Sequence, residues 1–438
     1  MILPRSVVWC SRGDGSVRYR STVTQAPTSK DSVMRDWLPV VAWTLFIYAA
    51  IPLARGIQAW VAEHWTRAAF SWAAYACVAI GLLATITHLR RRAVPVERRQ
   101  WIVLGVMAAI FAGLTWHLRD NAEEAMHLPQ YGVLSLLLYR AFSRRYGDRG
   151  TYVCAALLGA FLGVFDEVIQ WAVPRRTFEF RDMIINVVAV LLVQAGLAAG
   201  LATRCRAILA GLPSARTAWR LAAVTLLLLL GCFSNTPDVW RPLYSSWPKL
   251  FVFDEPMVQY GHRIEDPEVG WFKSRLTADE LRATDAARGA DAGRILRSMG
   301  HDHIYGLFLR HYSATRDPFL HEVRVRLFRR DRYWRRAQTQ RNPAKRKGFL
   351  HVSFNEQRLL ERWYPHTLRA AGKDWSADRR ARAAAASSGE RQGSPVSREL
   401  LTGFTKTQAQ TALGSLLLVV VLAAAYDLRR RRRNMLAP

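Results

Sequence analysis

The residues best suited to chemistry lie between Gly163 and Asn186, in a short polar stretch that separates two apolar segments. Ionisable groups at the edge of an apolar, membrane-length segment are costly, so they usually serve a purpose. Neighbouring carboxyl groups could act in general acid–base chemistry, and guanidinium groups could bind a carboxylate or a phosphate. The candidates in this stretch are Asp166, Glu167, Gln170, Arg175, Arg176, Asp182 and Asn186.

Helical spacing groups these candidates on common faces. Asp166 and Gln170 are four residues apart, as are Asp182 and Asn186, and residues with this spacing share one face of a helix. Pro174 ends the first helix, so the two helices joined by this short loop must be adjacent and antiparallel. A third polar series with the same spacing precedes another apolar segment and comprises Glu123, His127 and Tyr131.

The elements that must position these residues are membrane-spanning helices. The chain has 438 residues, of which 50% are hydrophobic, and yet it carries a formal net charge of +28. Apolar runs that alternate with arginine clusters are typical of a multi-span membrane protein, and we see no motif of a nucleic-acid-binding module. We predict eight spans, at residues 37–54, 68–89, 101–117, 127–143, 151–173, 183–203, 218–235 and 411–427.

Arginine-rich short loops predict the orientation, because they mark the cytoplasmic side. Clusters near residues 90–99, 140–149, 204–216 and 429–433 all fall on one side if eight spans alternate. Both termini are then cytoplasmic, and the three polar series meet at the outer face of the membrane. Arg175, Arg176 and Arg181 are basic residues in an outer loop, against this rule, which indicates that they have another task.

The prediction is therefore an all-α polytopic helical bundle with an extracytoplasmic α+β domain between the last two spans. Residues 278–299 read as a helix, whereas residues 303–313 and 319–334 show the alternation of strands. We divide the chain into a cytoplasmic tail (1–36, with Met34 as an alternative start), a transmembrane region (37–235), the outer domain (236–376), a flexible tether (377–410), a last span (411–427) and a basic cytoplasmic tail (428–438).

Three functional readings of the polar residues stay open. They form a structural network, a ligand site, or a catalytic site that uses Asp166, Glu167, His127 or Asp182. No closed metal-ligand pattern or nucleophile motif accompanies them, so we predict no resident metal or cofactor. The alternative is a metal held by Glu123, His127, Asp166, Glu167 and Asp182, or a zinc ion held in the outer domain by His301, His303, His311 and His321.

The polar stretch resembles the signature of VanZ-like membrane proteins, a family named for a glycopeptide (teicoplanin) resistance determinant. That pattern is roughly D-E-x-x-Q, P-x-R, an acidic residue three further on, and D-x-x-x-N. It falls here on Asp166, Glu167, Gln170, Pro174, Arg176, Glu179, Asp182 and Asn186, and an earlier family element falls on Glu123, His127, Tyr131 and Leu134. The resemblance covers about residues 70–205. Glu124 stands where Lys is usual in the family, and Gln194 adds a polar group to span six.

This resemblance implies a multi-pass protein of the bacterial cytoplasmic membrane that is linked to glycopeptide resistance or envelope homeostasis. We expect it to bind an anionic lipid or envelope precursor at the outer polar residues. The alternative is an intramembrane hydrolase or transferase that acts on a lipid-linked substrate. The basic run from residue 319 to 348 is either a solvated surface or a site that attracts the membrane surface or an anionic envelope polymer.

Overall fold

The structure is a computed structural model that describes residues 30–66, 68–91, 95–173, 176, 178–201, 213–246, 256–387, 393–397 and 400–436. Arg175, a predicted site residue, lies outside the described residues, as do Pro174, most of the predicted N-terminal tail, and Arg204 and Arg206 of one arginine cluster.

In the residues that the structure describes, the N-terminal half of the chain folds into eight α-helices. They are α1 (Lys30–His64), α2 (Ala68–Arg90), α3 (Arg98–His117), α4 (His127–Arg145), α5 (Gly150–Ala172), α6 (Phe180–Gly196), α7 (Ala215–Ser234) and the short α8 (Pro237–Ser246). Another long helix, numbered α15 in chain order (Lys406–Leu436), follows near the end of the chain and packs against α7.

Among the described residues, seven helices are long and apolar enough to cross a membrane, whereas eight spans were predicted. The helix that falls short is α4, which carries Gln130, Tyr131, Ser135 and Arg140 within its 19 residues. Its neighbours bury Leu128, Tyr131, Leu134, Ser135 and Leu138, among others. A helix enclosed by other helices needs little apolar surface toward lipid, and this explains its low hydrophobicity.

α4 nevertheless runs from one end of the helical bundle to the other. Its first residue, His127, lies beside Asp182 at the start of α6. Near its last turn, Arg144 forms an ion pair with Asp36 in α1, and Tyr146 hydrogen-bonds Thr217 near the start of α7. We call these the polar end and the basic end of the bundle, respectively.

Small residues let α5 and α6 approach closely. A Cβ atom on Gly159 would lie 2.6 Å from Cγ1 of Val190, and one on Gly163 would lie 2.8 Å from Cβ of Asn186. Close contact at glycines is a common way for helices to associate in a membrane, where the hydrophobic effect between helices is absent. In the same interior, Gln194 donates hydrogen bonds to the carbonyl and hydroxyl of Ser135 (2.9 and 2.8 Å). The amide nitrogen of the extra polar group in span six is thus bonded within the bundle.

The chain between α8 and α15 forms a mainly helical unit, here called the insert domain (residues 256–401, as far as described). Its elements are β1 (Gln259–Tyr260), β2 (His262–Asp266), β3 (Gly270–Ser274), α9 (Ala278–Met299), α10 (Tyr305–His311), α11 (Pro318–Thr339), α12 (Pro343–Trp363), α13 (Pro365–Ala371), α14 (Ala377–Ala386) and β4 (Leu400–Leu401). β2 and β3 form an antiparallel hairpin, and β1 pairs with β4 in parallel.

The predicted helix at residues 278–299 is confirmed, but the strands predicted for residues 303–313 and 319–334 are wrong, because both segments are helical. In α11, arginine alternates with apolar residues from Val323 to Leu327, which imitates the period of a strand. Arg324 and Arg326 are nonetheless both 1% exposed, since each meets a carboxylate inside the domain. Buried arginines therefore produced a pattern that normally separates a buried face from a solvent face.

The segment predicted as a flexible tether (377–410) contains ordered structure. α14 occupies residues 377–386 and packs against α12, and Ser394 is buried, with its Oγ accepting a hydrogen bond from Arg326 at 3.0 Å. Alanine and arginine make this segment look like a linker in sequence. Arg379, however, lies over the rings of Trp334 and Trp375 at 4.6 and 4.5 Å, and this attraction holds α14 to the domain.

The insert domain joins the bundle at its polar end. The phenol of Tyr260 donates a hydrogen bond to the carbonyl of Phe233, near the end of α7 (2.9 Å). Met257 and Val258 pack in one apolar cluster with Phe178 and Met183, next to the start of α6. The two parts of the chain that could carry function are thus side by side.

Candidate functional site

The site is built on the last two turns of α5. Gln170 donates hydrogen bonds from its amide nitrogen to Asp166 Oδ2 (3.2 Å) and to Glu167 Oε1 (2.7 Å). All three side chains are at most 3% exposed. The shared helix face predicted for Asp166 and Gln170 is therefore present, and one amide group links two buried carboxyl groups.

The loop after α5 folds back onto these side chains. Arg176 donates a hydrogen bond to Gln170 Oε1, and the backbone N–H of Glu179 donates one to Glu167 Oε2 (3.0 Å). Gln170 is consequently fixed from both sides, as acceptor from Arg176 and as donor to the carboxyl groups. A guanidinium group is thus brought next to the two buried acids.

α6 closes the opposite side of the site through Asn186. This amide donates hydrogen bonds to the carbonyl of Gly163 (3.2 Å) and, at 3.5 Å, to Asp166 Oδ2. Asp182, one turn earlier in α6, lies with Oδ2 3.8 Å from Nε2 of His127 in α4. Three helices therefore converge at one depth, as the sequence predicted.

Tyr131 completes the arrangement from α4. It is fully buried, its ring stacks on that of His127, and it interacts electrostatically with Asp166. We use "polar layer" below for the set made of His127, Tyr131, Asp166, Glu167, Gln170, Arg176, Asp182 and Asn186.

Two contributors were missed in the sequence. Tyr48 in α1 donates a hydrogen bond to the carbonyl of Leu162 (2.9 Å) and interacts with both Asp166 and Tyr131. In the sequence, this contribution of Tyr48 was indicated by its position as a tyrosine within an otherwise apolar span. Glu124, noted only as a departure from the family pattern, pairs with Arg181 through Oε2 and Nε, 3.0 Å apart.

Glu123, the acidic residue predicted for the site, is half-buried one position before the short helical turn Glu124–Met126. The next residue, Glu124, is the one that forms an ion pair with Arg181. A 3₁₀ turn, rather than a continuous α-helix, precedes His127, so the spacing of four residues from Glu123 to His127 does not put them on one helical face.

Several buried polar atoms of the polar layer have no hydrogen-bond partner among the described residues. They are the Tyr131 hydroxyl, His127 Nδ1, Asp166 Oδ1, Asn186 Oδ1 and Arg176 Nε. An unsatisfied buried polar group costs about 1–3 kcal/mol. Within this set the side chains of Tyr131 and Asp166 interact with each other, as do those of His127 and Asn186, so part of its hydrogen-bonding capacity can be satisfied internally.

The carboxylate oxygens of Glu124, Glu179 and Asp182 lie within 4.8 Å of one another, which is compatible with a cation. Arg181 already supplies a positive charge to Glu124. Among the described residues, this is the one group of three or more metal-ligand side chains, and it includes none of His301, His303, His311 and His321. Of the residues in the metal alternatives suggested by the sequence, this group includes Asp182 alone.

Comparison with known proteins accounts for the part of the bundle from the end of α1 to α6, and the match does not extend to the insert domain. Residues 58–198 match the protein-family model described as VanZ/LLP1, so the chain contains a VanZ-like domain that includes the whole polar layer. No curated protein and no solved structure matches the chain.

Proposed function

We propose that the VanZ-like domain binds the headgroup of a membrane lipid or lipid-linked envelope precursor that carries both a phosphate and hydroxyl groups. The binding site would be the polar layer. The proposal is supported above all by these five buried atoms, because they bring hydrogen-bond donors and acceptors together in one small site where a polar headgroup could pair with them.

The donors in this set suit a phosphate. Arg176 has Nε left over after its hydrogen bond to Gln170, and Tyr131 has its hydroxyl. His127 adds a third donor in the tautomer that carries hydrogen on Nδ1. Asp166 and Glu167 already accept hydrogen bonds from Gln170, which reduces their repulsion of an anion.

The acceptors in the set suit hydroxyl groups. Asp166 Oδ1 and Asn186 Oδ1 face inward from α5 and α6 without donors among the described residues. A glycerol or sugar hydroxyl next to the phosphate would supply these donors. Phosphate alone would leave both acceptors unpaired, so the preferred ligand class is a hydroxyl-bearing phosphate headgroup.

The orientation proposed from the arginine clusters places this site at the outer leaflet. Arg144 and Arg145 of α4 and Arg216 of α7 belong to the basic end of the bundle, opposite the polar layer. With the basic end in the cytoplasm of a bacterium, both termini are inside, and the insert domain is outside. The family link to teicoplanin-type resistance and envelope homeostasis fits a ligand of the outer leaflet.

An intramembrane hydrolase or transferase is the second candidate. The contact between His127 Nε2 and Asp182 Oδ2 (3.8 Å) favours it, because a carboxylate that orients a histidine is a common acid–base arrangement. Asp166 and Glu167 would then be further candidates for proton transfer. This reading requires turnover of the bound lipid.

The test is a lipid titration of the full-length protein, followed by native mass spectrometry. Phosphatidylglycerol serves as the probe that carries both phosphate and hydroxyl groups, a polyprenyl phosphate serves as the probe with phosphate alone, and phosphatidylcholine serves as the zwitterionic lipid without headgroup hydroxyls. We expect Arg176→Ala to weaken binding of the first two at least tenfold, since a charge-assisted hydrogen bond is lost. Arg181→Ala is the matched control, because Arg181 is 43% exposed and pairs with Glu124 at the edge of the site.

Three results separate the readings. Equal lipid affinity of wild type and Arg176→Ala would refute the binding proposal. Loss of thermal stability in Arg176→Ala, Asp166→Asn and Asp182→Asn, without any lipid preference in wild type, would identify a structural network. Release of phosphate or product that Asp166→Asn and Asp182→Asn abolish, with lipid affinity kept, would establish the enzyme.

A further inference from the structure

The loop end of the α11–α12 hairpin in the insert domain carries an unusual concentration of positive charge. We call residues 331–347 the hairpin tip. Seven cations lie within it, all with exposed side chains: Arg332, Arg335, Arg336, Arg341, Lys345, Arg346 and Lys347. We propose that the hairpin tip binds an anionic polymer with repeating phosphate groups, at a site separate from the polar layer.

Little of this charge is neutralised within the domain. Of the seven cations, Arg335 alone has an ion pair among the described residues, with Asp302 (Nη1–Oδ2 2.6 Å). Asp331, the one acidic residue of the tip, forms ion pairs with Arg330 (2.9 Å) and Arg379 (3.2 Å), which lie outside the tip. The tip therefore presents a nearly uncompensated positive surface to solvent.

Helix geometry adds to this surface. Lys345 and Arg346 stand in the first turn of α12, where the positive end of the helix dipole disfavours cations by about 0.3–1 kcal/mol each, and Lys347 follows directly. The capping hydrogen bond from the Lys345 N–H to the side chain of Asn342 (3.1 Å) holds that turn in place. Cations at this position lower the stability of the helix, so their presence is better explained by the binding of an external anion.

The distribution of the cations favours a polymer over a single small anion. From Arg332 to the last residue of α11, Thr339, the helix rises about 10 Å, and the loop and α12 continue the charged surface. Five of the seven cations are arginines, whose planar guanidinium groups pair with phosphate through two parallel hydrogen bonds. Phosphates at regular intervals would engage several of them together.

The absence of exposed apolar side chains argues against the bilayer surface as the partner. Among the described residues, none of the exposed large hydrophobic side chains lies between positions 331 and 347, and Tyr333 and Trp334 are half-buried. Peripheral membrane-binding surfaces usually combine basic residues with apolar or aromatic side chains that enter the headgroup region. The hairpin tip offers charge alone.

The experiment measures binding of sodium polyphosphate to the full-length protein in nanodiscs of phosphatidylcholine. We expect binding by wild type that weakens at least tenfold between 50 and 300 mM salt, because several exposed charges act together. Replacement of Arg341, Lys345, Arg346 and Lys347 by Gln should weaken it at least tenfold. The control removes the same charge elsewhere on the domain, at the exposed residues Arg263, Arg294, Arg310 and Arg369, and should change the affinity less than threefold.

Equal weakening by the two quadruple variants would overturn the proposal, because overall charge would then explain binding. Failure of wild type to bind polyphosphate would also overturn it. A third arm tests the bilayer with vesicles of phosphatidylglycerol and phosphatidylcholine. If the tip variant loses vesicle association while polyphosphate affinity is unchanged, the tip is a membrane contact and not a polymer site.

Discussion

Asn186 donates a hydrogen bond to the backbone carbonyl of Gly163 (Nδ2–O 3.2 Å), and this contact sets the distance between α5 and α6 beneath the polar layer. Gly163 has no side chain, and even a methyl group there would lie 2.8 Å from Cβ of Asn186 and 3.4 Å from the ring of Tyr131. The position of the Asp166 carboxyl, one turn further along α5, depends on this close approach.

Gly163→Ala should therefore push the two helices apart. We expect a loss of about 1–3 kcal/mol in the free energy of unfolding, as is usual when a well-packed interior is overfilled. Reversible unfolding in mixed micelles measures it. Gly113→Ala in α3 is the control, since no atom lies within 4 Å of the Cβ built there. A Gly163→Ala protein as stable as this control would contradict the close-contact argument.

The ion pair between Glu124 and Arg181 should contribute modestly to stability. The side chain of Arg181 is 43% exposed and that of Glu124 is 11% exposed, so water screens the pair only in part. A double-mutant cycle with Glu124→Gln and Arg181→Gln should give a coupling of about 0.5–1 kcal/mol. Strict additivity of the two substitutions in the same unfolding assay would show that the pair contributes nothing.

Arg326 should be far more important to the insert domain. It is 1% exposed and donates hydrogen bonds to Glu322 Oε1 (2.8 Å), the carbonyl of Lys273 (2.6 Å) and Ser394 Oγ (3.0 Å). Arg326→Met leaves Glu322 buried without its charge partner, for which we expect a loss of about 3–5 kcal/mol. Urea unfolding, followed by hydrogen exchange of amides in β3 and α11, measures that loss.

Two variants control this measurement. Arg326→Met combined with Glu322→Gln should recover part of the stability, because the unpaired charge is removed as well. Arg310→Met, at an exposed position of α10, should change stability by no more than about 0.5 kcal/mol. If Arg326→Met behaved like Arg310→Met, the buried network would have no structural importance.

The insert domain should also lose stability as the pH falls below neutrality. Burial, and secondarily the charge of Arg275, lower the pKa of His321 to about 3. An unfolded chain would bind a proton at His321 near pH 6.5, whereas the folded domain would not. The stability from this group is therefore complete above pH 6.5 and declines as the pH falls toward 3, by up to about 1.4 kcal/mol per pH unit.

Urea unfolding of the domain at pH 7 and pH 4.5 checks this expectation against His321→Gln. Lowered carboxyl pKa values, such as those of Asp266 and Asp302, act mainly below pH 4, so the chosen interval isolates the histidine. Wild type should lose stability over the interval, and the variant should lose clearly less. Parallel losses would mean that His321 is protonated in the folded domain.

The sequence predicted most of the polar layer because its information is local. The spacing between Asp166 and Gln170, or between Asp182 and Asn186, fixes a helix face, and a short loop fixes which helices are neighbours. Residue spacing and loop length did not predict the 3₁₀ turn at Glu124–Met126. They also did not predict the contribution of Tyr48, whose approach to Asp166 depends on where α1 packs.

In the insert domain, the sequence predicted the helix with the clearest signals. Thr277 and Glu280 form a capping box at the start of α9, and each side chain accepts a hydrogen bond from the backbone N–H of the other. The strand predicted for the residues of α11 was wrong because Arg324 and Arg326 are buried. Glu322 lies only four residues before Arg326, but the other partners, Asp302 and Glu356, are distant in sequence, so the folded chain is needed to show that these arginines belong to the interior.

The pairing of β1 with β4 places Gln259 opposite Leu400, so the chain enters and leaves the insert domain through neighbouring backbone segments. Lys406 pairs with Asp238 just below, and Gln410 hydrogen-bonds Ser234, so α7 and α15 are joined independently of what lies beyond them. The insert domain is thus a separate unit whose two connections to α7 and α15 lie next to each other. A short linker in its place would leave the two helices side by side.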